Sequence, residues 1–348
     1  MNVAGILTFL GFCLIFLNVQ ARSARSVDID SDKCGQRSIL EKRVVSGSEV
    51  EPQSWPWQVH LLQSRDGTFL HKCGGALIDR EWVVTAAHCV FQEPDVSHYK
   101  VILGDFNRDI KEPTEQEFDV STLHLHQRFL TDKGYGYDIA LLKLSRPAVI
   151  NEFVRTVCLP AQGSRALEGT MCFITGWGKT NITEDKSVTL REAQLPIVGQ
   201  KECNNSNSWF HIVDETSMLC AGYGENRGNL SKISGCNGDS GGPFVCDEGG
   251  SWVLRGVVSW GDPKCQAGSF YSVFTRISSF IDWMKIGMQS NITPPSNIVD
   301  SCRDSHYYCN KWKELSFCTE PWYKKRMGVY CRSTCSLCSI ENTSQWTN

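Results

Sequence analysis

Residues 234–243 read SGCNGDSGGP, a serine, Ser240, set among four glycines. Glycine loses more backbone entropy on ordering than any other residue, so this much of it signals tight turning and close backbone approach rather than packing. Ser240 is therefore a candidate nucleophile. A serine hydroxyl attacks poorly at neutral pH unless a histidine takes its proton and a carboxylate holds the imidazole in the right tautomer. Of eight histidines, only His88, in Thr85-Ala86-Ala87-His88-Cys89, stands in a small-residue turn beside a cysteine; the others read as surface or strand residues. A carboxylate is available from Asp138 in the stretch YDIALL at 137–142. The chemistry would be acyl transfer through Ser240. A chain of 348 residues offers many such trios, so residue types alone do not assign the set.

The elements that must position these groups are mostly strands. From Val44 to Met288, short apolar runs such as Lys100–Leu103, Ile139–Leu144, Met171–Thr175 and Trp252–Trp260 alternate with glycine, proline and aspartate turns. Many short strands with turn signals predict an antiparallel all-β barrel or sandwich. A single clear helix is expected to close the segment, capped by Ser279, with Phe280, Ile281, Met284 and Met288 on one face. The polar, proline-bearing stretch 289–301 reads as a linker, and six cysteines follow within 302–338. So small a unit cannot bury enough apolar surface to fold unaided, and disulfides would have to staple it. Residues 339–348 form a tail.

Compartment follows from the cysteines. The apolar run Ile6–Leu17, followed by Val19-Gln20-Ala21, has the length and ending of a secretory signal, predicting a signal peptide at 1–21. Its removal takes Cys13 and leaves 16 of the 17 cysteines, an even number suited to full pairing in an oxidising, extracellular setting. Asn181, Asn204, Asn229, Asn291 and Asn342 begin N-x-S/T triplets, which fit a secreted glycoprotein. A net charge of -3 argues against a nucleic-acid partner, and no later run suits a membrane span.

The three stretches around His88, Asp138 and Ser240, in that chain order, resemble the chymotrypsin-like serine proteases, over 34–288. The resemblance implies two six-stranded antiparallel β-barrels with a C-terminal helix, and a secreted endopeptidase acting on protein and peptide substrates as a monomer. It makes Ser240 the nucleophile, His88 the general base then acid, and Asp138 the orienting carboxylate. Gly238 and Ser240 would donate the oxyanion-hole N–H groups. Glu41-Lys42-Arg43 before Val44-Val45-Ser46-Gly47 is similar to the family's zymogen junction, which makes 22–43 a propeptide. An activating protease would cut after Arg43, and the freed Val44 ammonium would pair with Asp239. The family pattern implies the disulfides Cys34–Cys158, which would keep the propeptide tethered, Cys73–Cys89, Cys172–Cys246, Cys203–Cys220 and Cys236–Cys265.

Specificity is carried over in the same way. Ser234 stands where a trypsin would have aspartate, so a cationic P1 side chain would enter without a partner and an apolar or aromatic one is favoured. Gly261, in Ser259-Trp260-Gly261, leaves the pocket mouth open, and that backbone would pair with substrate as an added strand. Ser272 occupies an expected wall glycine and would narrow the pocket, which keeps an elastase-like preference as the alternative. No cofactor is required. The acidic loop 105–119 matches the spacing of the family's calcium loop, implying a structural calcium on Asp105 and Glu115, Glu112 through water, and the carbonyls of Asn107 and Ile110.

The closing spacing of 302–338, C-x3-C-x2-C, resembles the ShK-like toxin domain, implying Cys302–Cys338, Cys309–Cys331 and Cys318–Cys335. With seven Lys or Arg against three acids, this module could dock on an acidic surface or a channel. The Tyr323-Lys324-Lys325-Arg326 stretch lacks the Lys-Tyr order of channel-blocking toxins, so targeting or substrate binding is expected of it.

Overall fold

The computed structural model describes residues 33–37, 48–93, 95–130, 136–179, 185–207, 213–224, 228, 230, 233–235, 238–261, 270–289, 309–314, 318–319, 327 and 331–337. Six strands close a first barrel: β2 (Gln58–Arg65), β3 (Thr68–Asp79), β4 (Trp82–Thr85), β5 (Tyr99–Leu103), β6 (Gln116–Leu125) and β7 (Ala140–Leu144). Going round it, the order is β2-β3-β4-β7-β6-β5, with β5 antiparallel to β2 at Leu61↔Val101. Six more form the second: β8 (Met171–Gly176), β9 (Arg191–Val198), β10 (Met218–Ala221), β11 (Pro243–Asp247), β12 (Trp252–Trp260) and β13 (Ser272–Arg276). Its ring runs β8-β9-β10-β13-β12-β11, closed by β11 on β8, while the short β1 (Ser48–Glu49) joins the edge of β9.

Strand periodicity explains these elements. In β5, Tyr99, Val101 and Leu103 are buried while Lys100 and Ile102 are partly exposed, the period of two that puts alternate side chains on one face. The buried set extends across the seam: Val245, Leu254, Val257, Ile277 and Phe280 of the second half pack in one cluster with first-barrel residues. Trp55 meets Trp252 edge-on at 4.9 Å between ring centroids and Phe173 at 5.5 Å, a geometry that aromatic pairs prefer.

The helices depart from expectation. Besides α1 (Ala87–Val90) and the closing α3 (Ile281–Gln289), the chain forms α2 (Gln200–Asn207), so the closing helix is not the single one. α2 is polar, and only Cys203 and Asn207 are buried. It has no apolar stripe to read; it is anchored by the Cys203–Cys220 bond to β10 and by Asn207, whose amide donates to the Tyr271 carbonyl at 3.2 Å and accepts from the Tyr271 N–H at 3.1 Å. Ser279 does not cap α3. Its hydroxyl donates to the Thr216 carbonyl at 2.5 Å, and the N–H of Asp282 in the first turn is satisfied by the Gln162 side chain at 3.1 Å. Ile281 and Met284 are buried beneath α3, with Met288 partly so.

Residues before the second barrel are fastened to it. Gly35 donates to the Thr156 carbonyl at 2.8 Å and accepts from Trp252 at 3.0 Å, and Cys34 is disulfide-bonded to Cys158. Its φ of 67° and the Trp252 backbone beside its Cα leave no room for a side chain. Among the described residues of 302–338, α4 (Cys309–Glu314) is held by Cys309–Cys331, and Cys318 is bonded to Cys335.

Candidate active site

β4 ends at Thr85 and α1 begins two residues later, which sets His88 in a single helical turn pinned to β3 by Cys73–Cys89. Asp138 lies just before β7, where the Ile139 N–H closes a tight turn onto the Tyr137 carbonyl at 2.8 Å. Tyr137 adopts φ 60°, a conformation non-glycine residues seldom take. That turn aims the Asp138 carboxylate inward, where it is 1% exposed against 27% for the His88 side chain. Oδ1 accepts the His88 backbone N–H at 2.8 Å, and Oδ2 accepts His88 Nδ1 at 2.7 Å and the Ser259 hydroxyl at 2.6 Å. Thr275 Oγ1 donates to the Asp138 carbonyl at 2.6 Å.

An ionised carboxylate only accepts, so Nδ1 carries its proton and Nε2 is left as the ring's base. Burial opposes a charge on His88, yet the Asp138 charge and hydrogen bond outweigh it and hold the ring above its ordinary value.

The Ser240 turn is bonded on both sides. Gly74 of β3 donates to the Ser240 carbonyl at 2.8 Å. Gly241 donates to Val258 of β12 at 2.8 Å, and Val258 returns a bond to Gly242 at 2.9 Å. Gly241, at φ 76°, packs against Thr85 Oγ1 and the Ala86 N–H, so a Cβ there would collide with the start of α1. Ser240 is thereby fixed beside the helix that carries His88, one residue along β12 from the Ser259 that holds Asp138. Neither the Gly238 nor the Ser240 N–H donates to a protein acceptor among the described residues. Between them, Asp239 Oδ1 accepts from Gly178 at 2.8 Å. His71 Nε2 donates to the Gly238 carbonyl at 3.1 Å; burial, then the charges of His60, Lys186 and Arg108, push this ring down to about 3, so it is neutral. A base with its orienter, and on the neighbouring turn a hydroxyl flanked by two N–H groups that meet no protein acceptor among the described residues, are the groups that acyl transfer needs.

The family model described as Trypsin matches residues 44–284. The chain belongs to the trypsin family. A second model, described as ShK domain-like, matches 301–338. Chymotrypsin-like elastase family member 3B of Homo sapiens is 42% identical over 248 residues, 70% of this chain and 88% of that protein. Member 3A of Homo sapiens is 42% identical, over 71% of this chain and 90% of its own length. Member 1 of Rattus norvegicus is 39% identical, over 70% and 88%. This trypsin-family chain is thus a chymotrypsin-like serine endopeptidase with a C-terminal ShK-like domain. Among the described residues, no helix is long and apolar enough to cross a membrane.

Of the residues expected to set specificity, Ser272 lies beside Gly261 and beside the neighbour of Ser234. Gly235, next to the half-buried Ser234, donates to Ser272 Oγ at 3.2 Å. A Cβ on Gly261 would lie 3.8 Å from that same hydroxyl, so Ser272 bridges the two glycines. Ser259 is buried, and Trp260, which ends β12, packs partly against the cluster of Cys220, Tyr271 and Val273.

The acidic loop also converges. Carboxylate oxygens of Asp105, Glu112 and Glu115 lie within 4.8 Å of one another. Asp105 Oδ2 is held by His60 Nδ1 at 2.6 Å, while its Oδ1 is buried without a partner. Glu112 Oε2 accepts from Phe106 at 2.6 Å and Asn107 at 3.2 Å, and Glu115 Oε1 from Glu112 at 2.7 Å. The Asn107 carbonyl accepts from Ile110 at 3.0 Å. Three gathered carboxylates with an orphaned buried oxygen fit a hard cation.

Cys172 is bonded to Cys246. Asn204 lies half-buried on α2, its Oδ1 accepting from Val213 at 3.1 Å. Arg43, Val44, Cys236–Cys265, Cys302–Cys338, Asn181, Asn229, Asn291, Asn342 and residues 1–21 lie outside the described residues. Sequence reasoning missed the second service of Ser259 and the roles of Thr275 and His71. His60 is a strand residue, on β2, and is buried; His126, just after β6, is buried as well. Alternation gave no signal for His60, since β2 is buried on both faces from Gln58 to Leu61.

Proposed function

We propose that the protein is a secreted endopeptidase, made as a zymogen, which hydrolyses peptide bonds through an acyl-enzyme on Ser240. The observation that carries this reading is the acceptor set of Asp138, which fixes the His88 tautomer with Nε2 as base. Ser240 Oγ attacks the scissile carbonyl while its proton passes to His88 Nε2, and the oxyanion is received by the Gly238 and Ser240 N–H groups. His88 then gives the proton to the leaving amine, and water, deprotonated by the same nitrogen, releases the acyl group. Cleavage after Arg43 frees the Val44 ammonium to pair with Asp239, which sets the peptides on either side of it. Substitution of Ser240 by alanine abolishes hydrolysis with secretion unchanged, and Arg43→Gln yields secreted protein with almost none; full turnover by either would refute the reading.

Ser234 presents no anion to P1, so the preferred side chain is apolar. The Ser272 hydroxyl, lying between Gly235 and Gly261, favours small or medium groups such as Ala, Val and Leu over Phe and Tyr. The relatives' names, which include elastase, agree with that ordering. Asp105, Glu112 and Glu115, with the Asn107 and Ile110 carbonyls, would hold a calcium whose part is structural. The ShK-like domain serves in targeting or substrate capture, its basic residues suited to an acidic surface.

A further inference from the structure

The Ser240 turn has two flanks. On one it is bonded to β12, whose end at Ser259-Trp260-Gly261 takes the acyl half of the substrate under the reading above. On the other it is bonded to β3, through Gly74 to the Ser240 carbonyl and His71 to the Gly238 carbonyl. The leaving half of the substrate therefore runs toward β3. Basic residues gather on that flank. Lys72 follows His71 and precedes Cys73, whose disulfide reaches the residue after His88. Lys186 lays its stem over Gly238: a Cβ there would lie 3.1 Å from its Cδ and 3.2 Å from its Cε. Arg108 donates from Nε to the Ser187 carbonyl at 2.9 Å and from Nη2 to that of Lys186 at 3.2 Å, binding it into the same loop.

The two lysines are short of counter-charge, whereas Arg108 has Asp109 and Asp105 nearby. Neither Lys72 nor Lys186 forms an ion pair among the described residues. Burial, then Arg65, lowers Lys72; burial, then Arg108 and Lys72, lowers Lys186, and Asp239 is the one carboxylate that pulls Lys186 the other way. Activation would hand Asp239 to the Val44 ammonium, and Lys72 and Lys186 would then face the substrate with no carboxylate of their own.

We propose that Lys72 and Lys186, backed by Arg65 and Arg108, are specificity-determining residues that select an acidic side chain on the leaving-group side of the scissile bond. The inference rests on Ser240-dependent hydrolysis as described under Proposed function. A carboxylate entering this half-buried cluster gains attraction to several cations at once, while a lysine meets repulsion; both act in a cleft partly withdrawn from solvent screening.

The test uses the full chain after cleavage at Arg43 and internally quenched peptides. All share one apolar acyl half and differ only in carrying Glu, Gln or Lys at P1′, P2′ or P3′. At low salt, Glu exceeds Lys in kcat/KM by about tenfold in at least one of these positions, and the ratio shrinks as ionic strength rises. Lys186→Glu inverts the ratio, and Lys72→Gln, a milder surface change, brings it closer to unity. A wild-type ratio near unity, or a ratio that both substitutions leave unmoved, overturns the inference while leaving the function intact. Absence of any Ser240-dependent hydrolysis overturns the function, and the inference with it.

Discussion

Replacing Ser272 by glycine tests the proposed narrowing of the pocket. The substitution deletes a buried hydroxymethyl whose oxygen accepts the Gly235 N–H at 3.2 Å and faces Gly261. Each further methylene of substrate that can then be buried contributes about 0.8 kcal/mol, roughly fourfold in selectivity, so burying two or more exceeds about tenfold. The ratio of kcat/KM for Phe over Ala at P1 should accordingly rise at least tenfold, measured on a tetrapeptide amide series with P4–P2 held constant. Stability should fall at the same time. The stranded Gly235 N–H costs about 1 kcal/mol and glycine in a strand another 0.5–1 kcal/mol, so Tm drops by roughly 4–8 °C in a domain of this size. An unchanged Phe-to-Ala ratio in a variant that has lost the expected stability would refute the argument. The hydroxyl would then be a structural acceptor that does not bound the pocket.

With His88 as the base, kcat/KM should climb through a pH midpoint above 6.5, because Asp138 favours the charged ring. The stability contributed by that pair runs the other way, full below 6.5 and lost as pH rises through the folded value; a pH–rate midpoint below 6.5 would contradict the geometry. His126, pushed down to about 4 by burial and then Arg128, contributes stability present above pH 6.5 and lost as pH falls toward about 4. His126→Gln should flatten the acid side of a Tm–pH curve, and an identical slope would count against a neutral buried ring. Calcium at about a hundred times its Kd should stabilise the chain by about 2.7 kcal/mol, read as a rise in Tm, and Glu115→Gln should remove most of it. An equal rise with magnesium, or none with calcium, would dismiss the loop as a calcium site.

What sequence could disclose depended on how local the cause was. Trp252–Trp260 is a strand with the bounds its apolar run predicts, and the runs at Lys100–Leu103 and Ile139–Leu144 differ from β5 and β7 by one residue. Alternation is written into neighbouring residues, so it can be read from them. α2 could not be seen this way, because this polar helix is fastened by the Cys203–Cys220 disulfide and by Asn207 bonds to the Tyr271 backbone, 64 residues on. Ser279 failed for a similar reason: the carbonyl of Thr216 claimed its hydroxyl, and a glutamine 120 residues from Asp282 took over the cap. In the cleft, motif spacing pointed to His88, Asp138 and Ser240, but the Ser259 bond to Asp138 spans 121 residues and exists only once both barrels have closed.

The bond from Cys34 to Cys158 crosses 124 residues and ties the segment before the Arg43 junction to the second barrel. A molecule cut after Arg43 would remain a single covalent body, heavier by one water. Activation would thus be silent to gel filtration and to electrophoresis without reductant, and only reduction would part the pieces. Anything attached ahead of Cys34 would travel with the active enzyme, so this short arm is a natural place to mount a reporter that outlasts the switch.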